Sequence, residues 1–411
     1  MWTCFFPNNS KGRIPIIAVT GTNGKTTTTR LLADIVQQAG YRTGYTTTDG
    51  IYLNKELLYK GDCSGPASAQ VVLRDTAVEC AVLECARGGI LRSGLGFDQC
   101  DAAVVTNVAE DHLGLDGIDT LEKLARVKSV VPETVKPDGY AVLNADDDRV
   151  YAMLENVKSK VALFSLYSDN ARIQQHVEAG GLAAVLEDGY IIMYEDKKMV
   201  VVDQIKNIPI TYNGAARFNV ANVLGATLAA YGAGISVTAI RTALRNFKNS
   251  VGLTPGRMNE FDFGDFTIMV DYAHNPHGLR AFGEFVKALP ATTKRGVIAG
   301  IGDRRAEDIV TLAEEAAKIF DDIVIRMDED LRGRTELEIG SLLKQGIQRV
   351  APDKKVSYVS NELEAVDYVV KTATPNSFTV VFVDNVVGVC NRLKQHQERH
   401  QLTHQLFKTA I

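Results

Sequence analysis

Short apolar runs alternate along the chain with polar or glycine-rich turns and with amphipathic stretches. The first unit combines an apolar run at 14–20, the turn GTNGKTTTT and a predicted helix near 26–39, with Gly40 at the position of a C-terminal cap. Six more apolar runs predict strands at 80–83, 102–105, 267–270, 297–299, 323–325 and 380–383. Because near-continuous β-branched runs are typical of parallel strands buried on both faces, this pattern predicts an α/β protein with doubly wound parallel sheets.

Two segments interrupt this alternation. Residues 181–210 contain apolar runs separated by two turn signals, which predicts hairpin strands and a small antiparallel appendage on the first domain. The segment NSVGLTPGR, at 249–257, combines glycine, proline, asparagine and serine with little periodicity, as is typical of a domain boundary. We therefore predict one α/β domain over 1–250 and a second, Rossmann-like α/β domain over 251–411.

Polar residues cluster just after the predicted strands. The clusters lie at 21–26, 84–89, 106–112, 271–275, 302–305, 328–334 and 384–385. Ligands of open parallel sheets bind at the carboxyl edge of the strands. Seven clusters at that edge in two domains therefore suggest a cleft between the domains.

Composition narrows the class of protein. The 411 residues are 45% hydrophobic and 23% charged, as in globular proteins, and the net charge of −5 gives no basic excess for binding a polyanion. No apolar run approaches the roughly 18 residues of a membrane span, and the start MWTCFFPNNSKGR contains no secretion signal. Six irregularly spaced cysteines, without a CxxC, predict buried thiols in a reducing cytoplasm. We therefore expect a cytoplasmic protein that binds neither nucleic acid nor membranes.

The turn GTNGKTT, at 21–27, predicts a phosphate site. A glycine-rich turn between a strand and a helix presents backbone N–H groups and a helix N-terminus to phosphate oxygens. Lys25 would reach the β- and γ-phosphates, and the hydroxyl of Thr26 would bind Mg²⁺. The full GxxxxGK(S/T) pattern is not met, because its first glycine falls on Val19, so an incidental glycine turn is the alternative.

Three further residues of the first domain are candidates for chemistry. Glu84 ends a predicted strand, where its carboxylate suits Mg²⁺, although a solvated strand-end acid is the alternative. His112 stands beside two acidic residues in TNVAEDHLGLDG, which favours a metal or phosphate role over a structural one. Lys128 lies on the apolar stripe of a predicted helix, and this pattern alone predicts that its side chain snorkels to solvent.

Charged residues of the second domain suggest a site for a charged or zwitterionic substrate. Arg257, in TPGRM, could face phosphate, and Asp271, in DYAHNP, could contact a ribose or position a base. Two arginine pairs follow later strands in IGDRR and DEDLRGR: Arg304, Arg305, Arg332 and Arg334. Runs of charged residues more often form solvated surfaces, so the alternative for each arginine is that it is simply exposed to solvent.

The chain resembles the Mur ligases, and most closely the Mur-ligase-like domain of cyanophycin synthetases. GTNGKT, TN followed by DH, and DYAHNP are similar to motifs of the whole superfamily. KGDCSGP, ARGGILR and GDRR followed by EDI resemble the cyanophycin-type proteins more narrowly. The similar segments are spread over about residues 13–384.

This resemblance implies an ATP-dependent carboxylate–amine ligase. ATP phosphorylates a carboxylate in such enzymes, and an amine then attacks the acyl phosphate to form an amide and release phosphate. The resemblance assigns nucleotide binding to the glycine-rich turn, two asparagines and a second-domain pair: Gly21, Thr22, Asn23, Gly24, Lys25, Thr26, Thr27, Asn219, Asn222, Arg257 and Asp271. It implies two Mg²⁺ sites, one on Thr26 and Glu84 and one involving His112. Lys128 matches a lysine that the family carbamylates with CO₂, and with Lys25 and His112 it is an implied catalytic residue.

The resemblance also bears on the substrates. Cyanophycin synthetases add arginine to the β-carboxylate of a backbone aspartate in this half of the protein, which implies an aspartate-containing acceptor and an arginine-like amine. The candidate substrate residues are mostly cationic: Arg87, His274, Asn275, Arg304, Arg305, Arg332 and Arg334. Two positions near this site depart from the family, because Ala306 replaces an expected acid and His277 replaces a small residue.

Several alternatives stay open at this point. Only twenty residues precede the glycine-rich turn, so we expect neither the UDP-binding domain of peptidoglycan Mur ligases nor the ATP-grasp domain that adds aspartate. The chain could be one half of a cyanophycin system that needs a separate ATP-grasp partner, a folylpolyglutamate-type ligase acting on a small acid, or a non-catalytic nucleotide-binding regulator. We expect a homo-oligomer in each case.

Overall fold

The computed structural model describes residues 13–328 and 330–409, the last seven by their backbone alone. The predicted absence of a secretion signal concerns residues outside this description, as does Cys4. The chain forms two compact units: the first contains the residues up to 109 and 115–248, and the second contains 110–114 and the residues from 249. None of the described helices is long and apolar enough to cross a lipid bilayer.

The first unit is built on one sheet of eleven strands. In chain order these are β1 (Ile16–Thr20), β2 (Thr43–Thr47), β3 (Gly50–Leu53), β4 (Glu56–Lys60), β5 (Cys80–Glu84), β6 (Cys100–Val105), β7 (Val135–Asn144), β8 (Lys160–Ser165), β9 (Leu182–Glu187), β10 (Tyr190–Glu195) and β11 (Lys198–Gln204). Their order in the sheet is β11-β10-β9-β8-β7-β6-β1-β5-β2-β3-β4. The seven strands from β9 to β2 are parallel, and an antiparallel pair completes each edge.

Helices cover both faces of this sheet. They are α1 (Lys25–Gln38), α2 (Pro66–Arg74), α3 (Arg87–Ser93), α4 (Leu121–Glu133), α5 (Asp148–Tyr151), α6 (Ala171–Glu178), α7 (Arg217–Gly232) and α8 (Val237–Asn246), with short 3₁₀ turns at Ala152–Asn156, Ile205–Asn207 and Pro209–Gly214. Alternate residues of β1 enter two different cores: Ile17 packs with residues of α1, α7 and α8, whereas Ile16 packs with residues of α2 and α4. A strand that is buried on both faces in this way must be apolar at every position, which explains the run IIAVT.

The second unit has a six-stranded sheet. Its strands are β12 (Asn259–Asp262), β13 (Thr267–Asp271), β14 (Thr293–Ile298), β15 (Asp322–Arg326), β16 (Lys355–Val359) and β17 (Ser377–Phe382), in the order β12-β13-β17-β14-β15-β16. All are parallel except the edge strand β12. The helices are α9 (Pro276–Lys287), α10 (Ala306–Ile319), α11 (Glu336–Val350), α12 (Glu362–Lys371) and α13 (Val386–Thr409).

These sheets confirm the predicted α/β class and its parallel strands. The predicted appendage is antiparallel, as expected, but it is part of the main sheet: β9 pairs in parallel with β8, and β10 and β11 extend the same edge. The antiparallel strands β3 and β4 at the opposite edge were not predicted, because TTTDGIYL and ELLYK are too short to give a clear period. The described cysteines are buried free thiols, as predicted: Cys63, Cys80, Cys85, Cys100 and Cys390.

Candidate active site

The glycine-rich turn joins β1 to α1 at the carboxyl edge of the first sheet. The strand β1 lies between β5 and β6, so the segments that follow these three strands meet at one edge. The loop after β6 holds the turn, since Asn107 accepts the N–H of Thr22 through its carbonyl and that of Asn23 through its side chain, each at 2.9 Å. Lys25 begins α1, and its Nζ donates to the carbonyl of Thr22 at 2.8 Å. The turn is thus fixed in place directly at a helix N-terminus, an arrangement that suits phosphate oxygens.

Two glycines make this turn possible. Gly21 and Gly24 have φ angles of 146° and 86°, in the region that side chains with a Cβ rarely adopt. A Cβ on Gly21 would overlap the hydroxyl of Thr106, and one on Gly24 would overlap the amide oxygen of Asn222. The turn therefore packs directly against β6 and against α7.

We expect Gly24→Ala to lower the free energy of unfolding and to abolish nucleotide binding. The left-handed φ and the clash with Asn222 together should cost about 2–4 kcal/mol. Chemical denaturation and nucleotide titration check this result. Gly40→Ala is the control, because Gly40 also has a positive φ, 97°, but has open space around a Cβ and lies at the other end of α1. Equal nucleotide affinity in the two variants would contradict the assigned role of the turn.

Oxygen atoms from α1, from the end of β5 and from the loop after β2 converge at the first turn of α1. The hydroxyl of Thr26 lies 3.0 Å from Oε2 of Glu84, and both residues are buried. Thr48, which follows β2, adds its hydroxyl 3.1 Å from that of Thr26, and its N–H donates to Glu84 at 3.3 Å. Hydroxyl and carboxylate oxygens are donors that Mg²⁺ prefers, so this group fits the cation that the sequence analysis assigned to Thr26 and Glu84. Thr27, the next residue of the predicted set, is buried in the same helical turn.

Thr48 also belongs to this candidate site by its contacts, although the sequence did not predict it. The available signal was the position of TTTDG at the end of a strand, once β2 is known to pair with β5. The loop is anchored by its next residue, because Asp49 forms an ion pair with the buried Arg30 and accepts the hydroxyl of Tyr52 at 2.8 Å. Arg30 belongs to α1, so the helix that carries Thr26 also positions Thr48.

Lys128 lies beneath the glycine-rich turn. Its side chain comes from α4, is only 3% exposed, and donates from Nζ to the carbonyl of Gly21 at 2.7 Å. The snorkelling that the helical pattern alone predicts is therefore wrong, since Nζ points to the turn and not to solvent. The buried amine of Lys128 therefore contacts the backbone of the glycine-rich turn directly.

The two asparagines of α7 are buried and bonded to one another. Asn222 donates its amide to Oδ1 of Asn219 at 3.1 Å, and Asn219 donates to the carbonyl of Ile210 at 2.9 Å. Asn222 also lies against Gly24, as described above. The pair links the glycine-rich turn to the 3₁₀ segment Pro209–Gly214, where Tyr212 and Asn213 have left-handed backbones. The assignment of Asn219 and Asn222 to nucleotide binding stays a prediction.

The short segment 110–114 belongs to the second unit, where it places His112 beside side chains of the IGDRR and DYAHNP motifs. Nε2 of His112 lies 3.0 Å from a guanidinium nitrogen of the buried Arg304. Asp111 lies 3.5 Å from Nε2 of His274, 3.4 Å from Arg304 and 3.8 Å from His112. One possible ligand atom from each of Asp111, His112 and His274 falls within 4.8 Å of the others. The backbone of His112 has a left-handed conformation, with φ 55°.

Asp111 is the electrostatic centre of this group. Burial by itself raises the pKa of the Asp111 carboxyl, but the hydrogen bond and charge of His274, with His112 and Arg304, outweigh burial and hold that pKa well below its usual range. The same group lines a small open pocket, whose polar lining is Glu110, Asp111, His274, Asn275, Arg304 and Asp308. An ionised carboxylate and a guanidinium on one wall of this pocket can bind opposite charges of a single ligand.

Asp271 and Asn275 organise the loop between β13 and α9. Asp271 accepts the N–H groups of Met258 at 3.0 Å and of Ala273 at 2.8 Å, and its burial raises its pKa although Arg257 opposes the shift. The guanidinium of Arg257 stacks 4.7 Å from the ring of Tyr272. Asn275 caps α9 by accepting the N–H of Gly278 at 2.7 Å. Asp271 therefore binds the backbone directly after Arg257, which places the two predicted residues next to each other.

The remaining predicted arginines have different surroundings. Arg334 donates to the carbonyls of Gly302 and Arg304 and so braces the IGDRR loop. Arg305 pairs with Asp308 at 2.7 Å and with Glu307 at 2.6 Å. Arg332, with φ 47°, lies 3.6 Å from Asp303 and 3.9 Å from Asp384. Arg87, in the first unit, is buried and donates to the carbonyl of Leu115. Among the predicted arginines, Arg304 is the one whose side-chain contacts include His112 and Asp111 within the described residues.

Comparison with known proteins identifies two matched domains in this chain. Residues 19–230 match the Mur ligase middle domain, and residues 256–383 match the Mur ligase, glutamate ligase domain. A cyanophycin synthetase from Geminocystis herdmanii is 49% identical over 391 residues, which cover 95% of this chain and 45% of that protein. This chain therefore spans about half the length of the cyanophycin synthetases that it matches.

A more distant sequence and a solved structure are also similar to this chain. A UDP-N-acetylmuramoyl-L-alanyl-D-glutamate–2,6-diaminopimelate ligase from Caldanaerobacter subterraneus is 26% identical, over 92% of this chain and 74% of that protein. The solved structure of E. coli FolC in complex with DHPP and ADP has the same fold, with a TM-score of 0.68 at 18% identity over 95% of this chain and 90% of that one. With both domains matched over most of the sequence, this chain belongs to the Mur ligase family of ATP-dependent acid–amino-acid ligases.

Proposed function

We propose that this protein forms an amide bond between a side-chain carboxylate and an amino acid, through an acyl phosphate made from ATP. The carboxylate belongs to an aspartate-containing substrate and the amine is arginine-like, in line with the 49% identity to a cyanophycin synthetase. The five cysteines that the structure describes are buried free thiols, which supports a reducing, cytoplasmic setting. Mg²⁺ at Thr26 and Glu84, a second Mg²⁺ involving His112, and a carbamate on Lys128 belong to the same proposal.

The observation that carries this proposal is the pairing of the glycine-rich turn with the buried oxygens of Thr26 and Glu84. The helix N-terminus and Lys25 bind the β- and γ-phosphates, Lys25 exchanging its bond to the carbonyl of Thr22 for phosphate oxygens. Bound Mg²⁺ would neutralise charge that develops on the transferred phosphoryl group. The carboxylate oxygen attacks the γ-phosphorus and ADP leaves. The amine then attacks the acyl carbon, and phosphate leaves as the amide forms.

The second unit supplies a binding surface for the amino acid. Asp111 stays ionised because its pKa is held low, and Arg304 lies 3.4 Å from it. A carboxylate suits the ammonium group of an amino acid, and a guanidinium suits its carboxylate. The open pocket beside them is lined also by Ile301, Ile309 and Leu312, whose apolar surface suits the aliphatic part of an amino-acid side chain.

The test is phosphate release from ATP and Mg²⁺ with aspartate-rich peptides as acceptors, against a panel of amino acids. We expect release to require both an acidic peptide and a basic amino acid. Release that needs an added ATP-grasp protein would favour the partner-dependent version, and release with a small acid alone would favour a folylpolyglutamate-type reaction. ATP binding without release under any combination would contradict the proposal and favour a regulator.

Two neighbouring arginines provide a matched pair for the amino-acid site. We expect Arg304→Ala to raise the KM for the amino acid at least about tenfold, because it removes a buried charged donor, with little change in the KM for ATP. Arg305→Ala should have a much smaller effect, since Arg305 is more exposed than Arg304 and is not among the residues that line the pocket. Steady-state kinetics with each substrate varied in turn checks this. Equal effects of the two substitutions would contradict the assignment.

A further inference from the structure

A buried arginine connects three segments at the carboxyl edge of the second sheet. Arg326 is the last residue of β15 and is only 3% exposed. The strand β14 lies between β15 and β17, so the guanidinium crosses the end of β14 to donate to the carbonyl of Phe382 at 3.1 Å. The same guanidinium pairs with Asp328, which follows β15, and with Glu362 at 2.9 Å. Arg326 therefore contacts residues from β17, from the loop after β15 and from the helix α12.

Glu362 extends this contact into the loop after β17. It is the first residue of α12 and is buried. Its two carboxylate oxygens accept the N–H groups of Asp384 at 2.7 Å and of Asn385 at 2.9 Å. A buried carboxylate is stable only with a charge partner or hydrogen-bond donors, and Glu362 has both. Arg326 and Glu362, the buried pair, therefore hold the backbone of 384–385 in place.

The loop after β15 also supports the amino-acid site around Asp111 and Arg304. It is fixed at one end by the pairing of Arg326 with Asp328. Near its other end Arg334 donates to the carbonyl of Arg304 at 3.1 Å. The guanidinium of Arg304 lies 3.4 Å from the carboxylate of Asp111. The loop therefore connects the buried pair to the backbone that carries the guanidinium of the site.

Arg332 provides a second connection to the site. It belongs to the same loop and lies 3.9 Å from Asp384 and 3.6 Å from Asp303. Asp303 in turn pairs with Arg304 at 2.8 Å. Because Glu362 holds the backbone of Asp384, a shift of either loop would move the charges that surround Arg304.

We propose that Arg326 and Glu362 are positioning residues for the amino-acid site, an inference that rests on the proposed function. Neither residue is among those that line the pocket. Arg326 acts through the loop that leads to Arg334, and Glu362 acts through the loop that carries Asp384. A binding site needs its contacting side chains held to within roughly 0.5 Å by packed, hydrogen-bonded neighbours. The buried pair supplies this support from beneath the site.

A second buried ion pair in the same sheet offers a matched control. Arg295 and Asp322 lie 2.7 Å apart, and each side chain is 8% exposed. Arg295 lies near the start of β14 and Asp322 begins β15, so this pair is at the edge opposite to Arg326. Breaking either pair should destabilise the fold, because a charge is left buried without its counterpart. An effect on substrate binding therefore separates positioning from stability.

We expect Arg326→Met to raise the KM for the amino acid at least about tenfold, with less than about a twofold change in the KM for ATP. Arg326→Lys keeps a positive charge beside Glu362 but loses the planar fork, so it should have a smaller effect. Arg295→Met should lower the free energy of unfolding as Arg326→Met does and leave both KM values unchanged. Chemical denaturation and steady-state kinetics, at a temperature at which every variant is folded, measure these effects.

Hydrogen exchange tests the positioning independently of the reaction. The N–H groups of Asp384 and Asn385 donate to Glu362, so they are protected while the buried pair is intact. They should exchange faster in Arg326→Met and in Glu362→Ala than in the wild type or in Arg295→Met. Mass spectrometry of peptides that contain 384–385 measures the difference.

The combined results separate this inference from the proposed function. Faster exchange at 384–385 together with a raised KM for the amino acid in Arg326→Met, but not in Arg295→Met, supports the positioning role. Unchanged exchange, an unchanged KM, or an equal rise of KM in both variants overturns it while ligation by the wild type upholds the proposed function. A wild type that forms no amide with any pair of substrates contradicts the proposed function and this role with it.

Discussion

Replacing Lys128 with alanine should lower ligation roughly 10²–10³-fold and leave ATP binding largely intact. Nζ of Lys128 is buried and donates to the carbonyl of Gly21, so its loss removes a charged group from directly beneath the glycine-rich turn. The proposed carbamate would be lost with it. Turnover and ATP affinity, measured on the same preparation, separate a catalytic effect from a failure of the turn to form.

The matched control is Lys123→Ala on the same helix. Lys123 is exposed and pairs with Asp119, so its replacement should leave turnover unchanged. Added small acids and amines identify the reactive form of Lys128: acetate should restore part of the activity of Lys128→Ala if the residue acts as a carbamate, and methylamine should restore it if the residue acts as an ammonium group. Unchanged turnover in Lys128→Ala would contradict any catalytic role for this lysine.

Glu84→Gln should also lower turnover roughly 10²–10³-fold and raise the Mg²⁺ concentration needed for half-maximal activity. The substitution keeps the shape of the side chain and an oxygen that can accept the hydroxyl of Thr26, so the fold should be preserved. It removes the negative charge that a hard divalent cation requires. A Mg²⁺ titration at saturating ATP measures both effects.

Thr26 supplies the control for this site. Thr26→Ser keeps the hydroxyl 3.0 Å from Glu84 and should retain most activity, whereas Thr26→Ala should reproduce the raised Mg²⁺ requirement. Equal Mg²⁺ dependence of the wild type, Glu84→Gln and Thr26→Ala would show that these oxygens do not hold the cation.

Local chemistry made part of this site predictable from the sequence. The glycine-rich turn is a strand, a turn and a helix in immediate succession, so the residue types that need positive φ and a helix N-terminus are adjacent in the chain. Glu84 was predicted for a similar reason, because the carboxyl end of a buried strand is recognisable from the apolar run before it. Several strands with both faces buried were recognisable as apolar runs, as in β1 and β5. The buried strand β2 was not predicted, because its sequence TGYTT is mostly polar.

Long-range contacts were beyond the reach of the same reasoning. His112 and Arg304 are 192 positions apart and meet only because 110–114 belongs to the second unit. Nothing in GDRR or DEDLRGR distinguishes Arg304, which faces Asp111, from Arg334, which braces backbone carbonyls. Thr48 becomes a site residue only once β2 lies beside β5. The helical pattern misread Lys128 because it gives no information on the turn that meets its amine.

Oxygen transfer tests the central claim, that a carboxylate is activated as an acyl phosphate, most directly. An acceptor peptide carrying ¹⁸O in its side-chain carboxylates is incubated with ATP, Mg²⁺ and the amino acid that stimulates release, and the released phosphate is analysed by mass spectrometry. We predict one ¹⁸O atom in each phosphate released, because the carboxylate oxygen that attacks the γ-phosphorus leaves with it. Phosphate without ¹⁸O, released at the same rate as amide forms, would contradict the account.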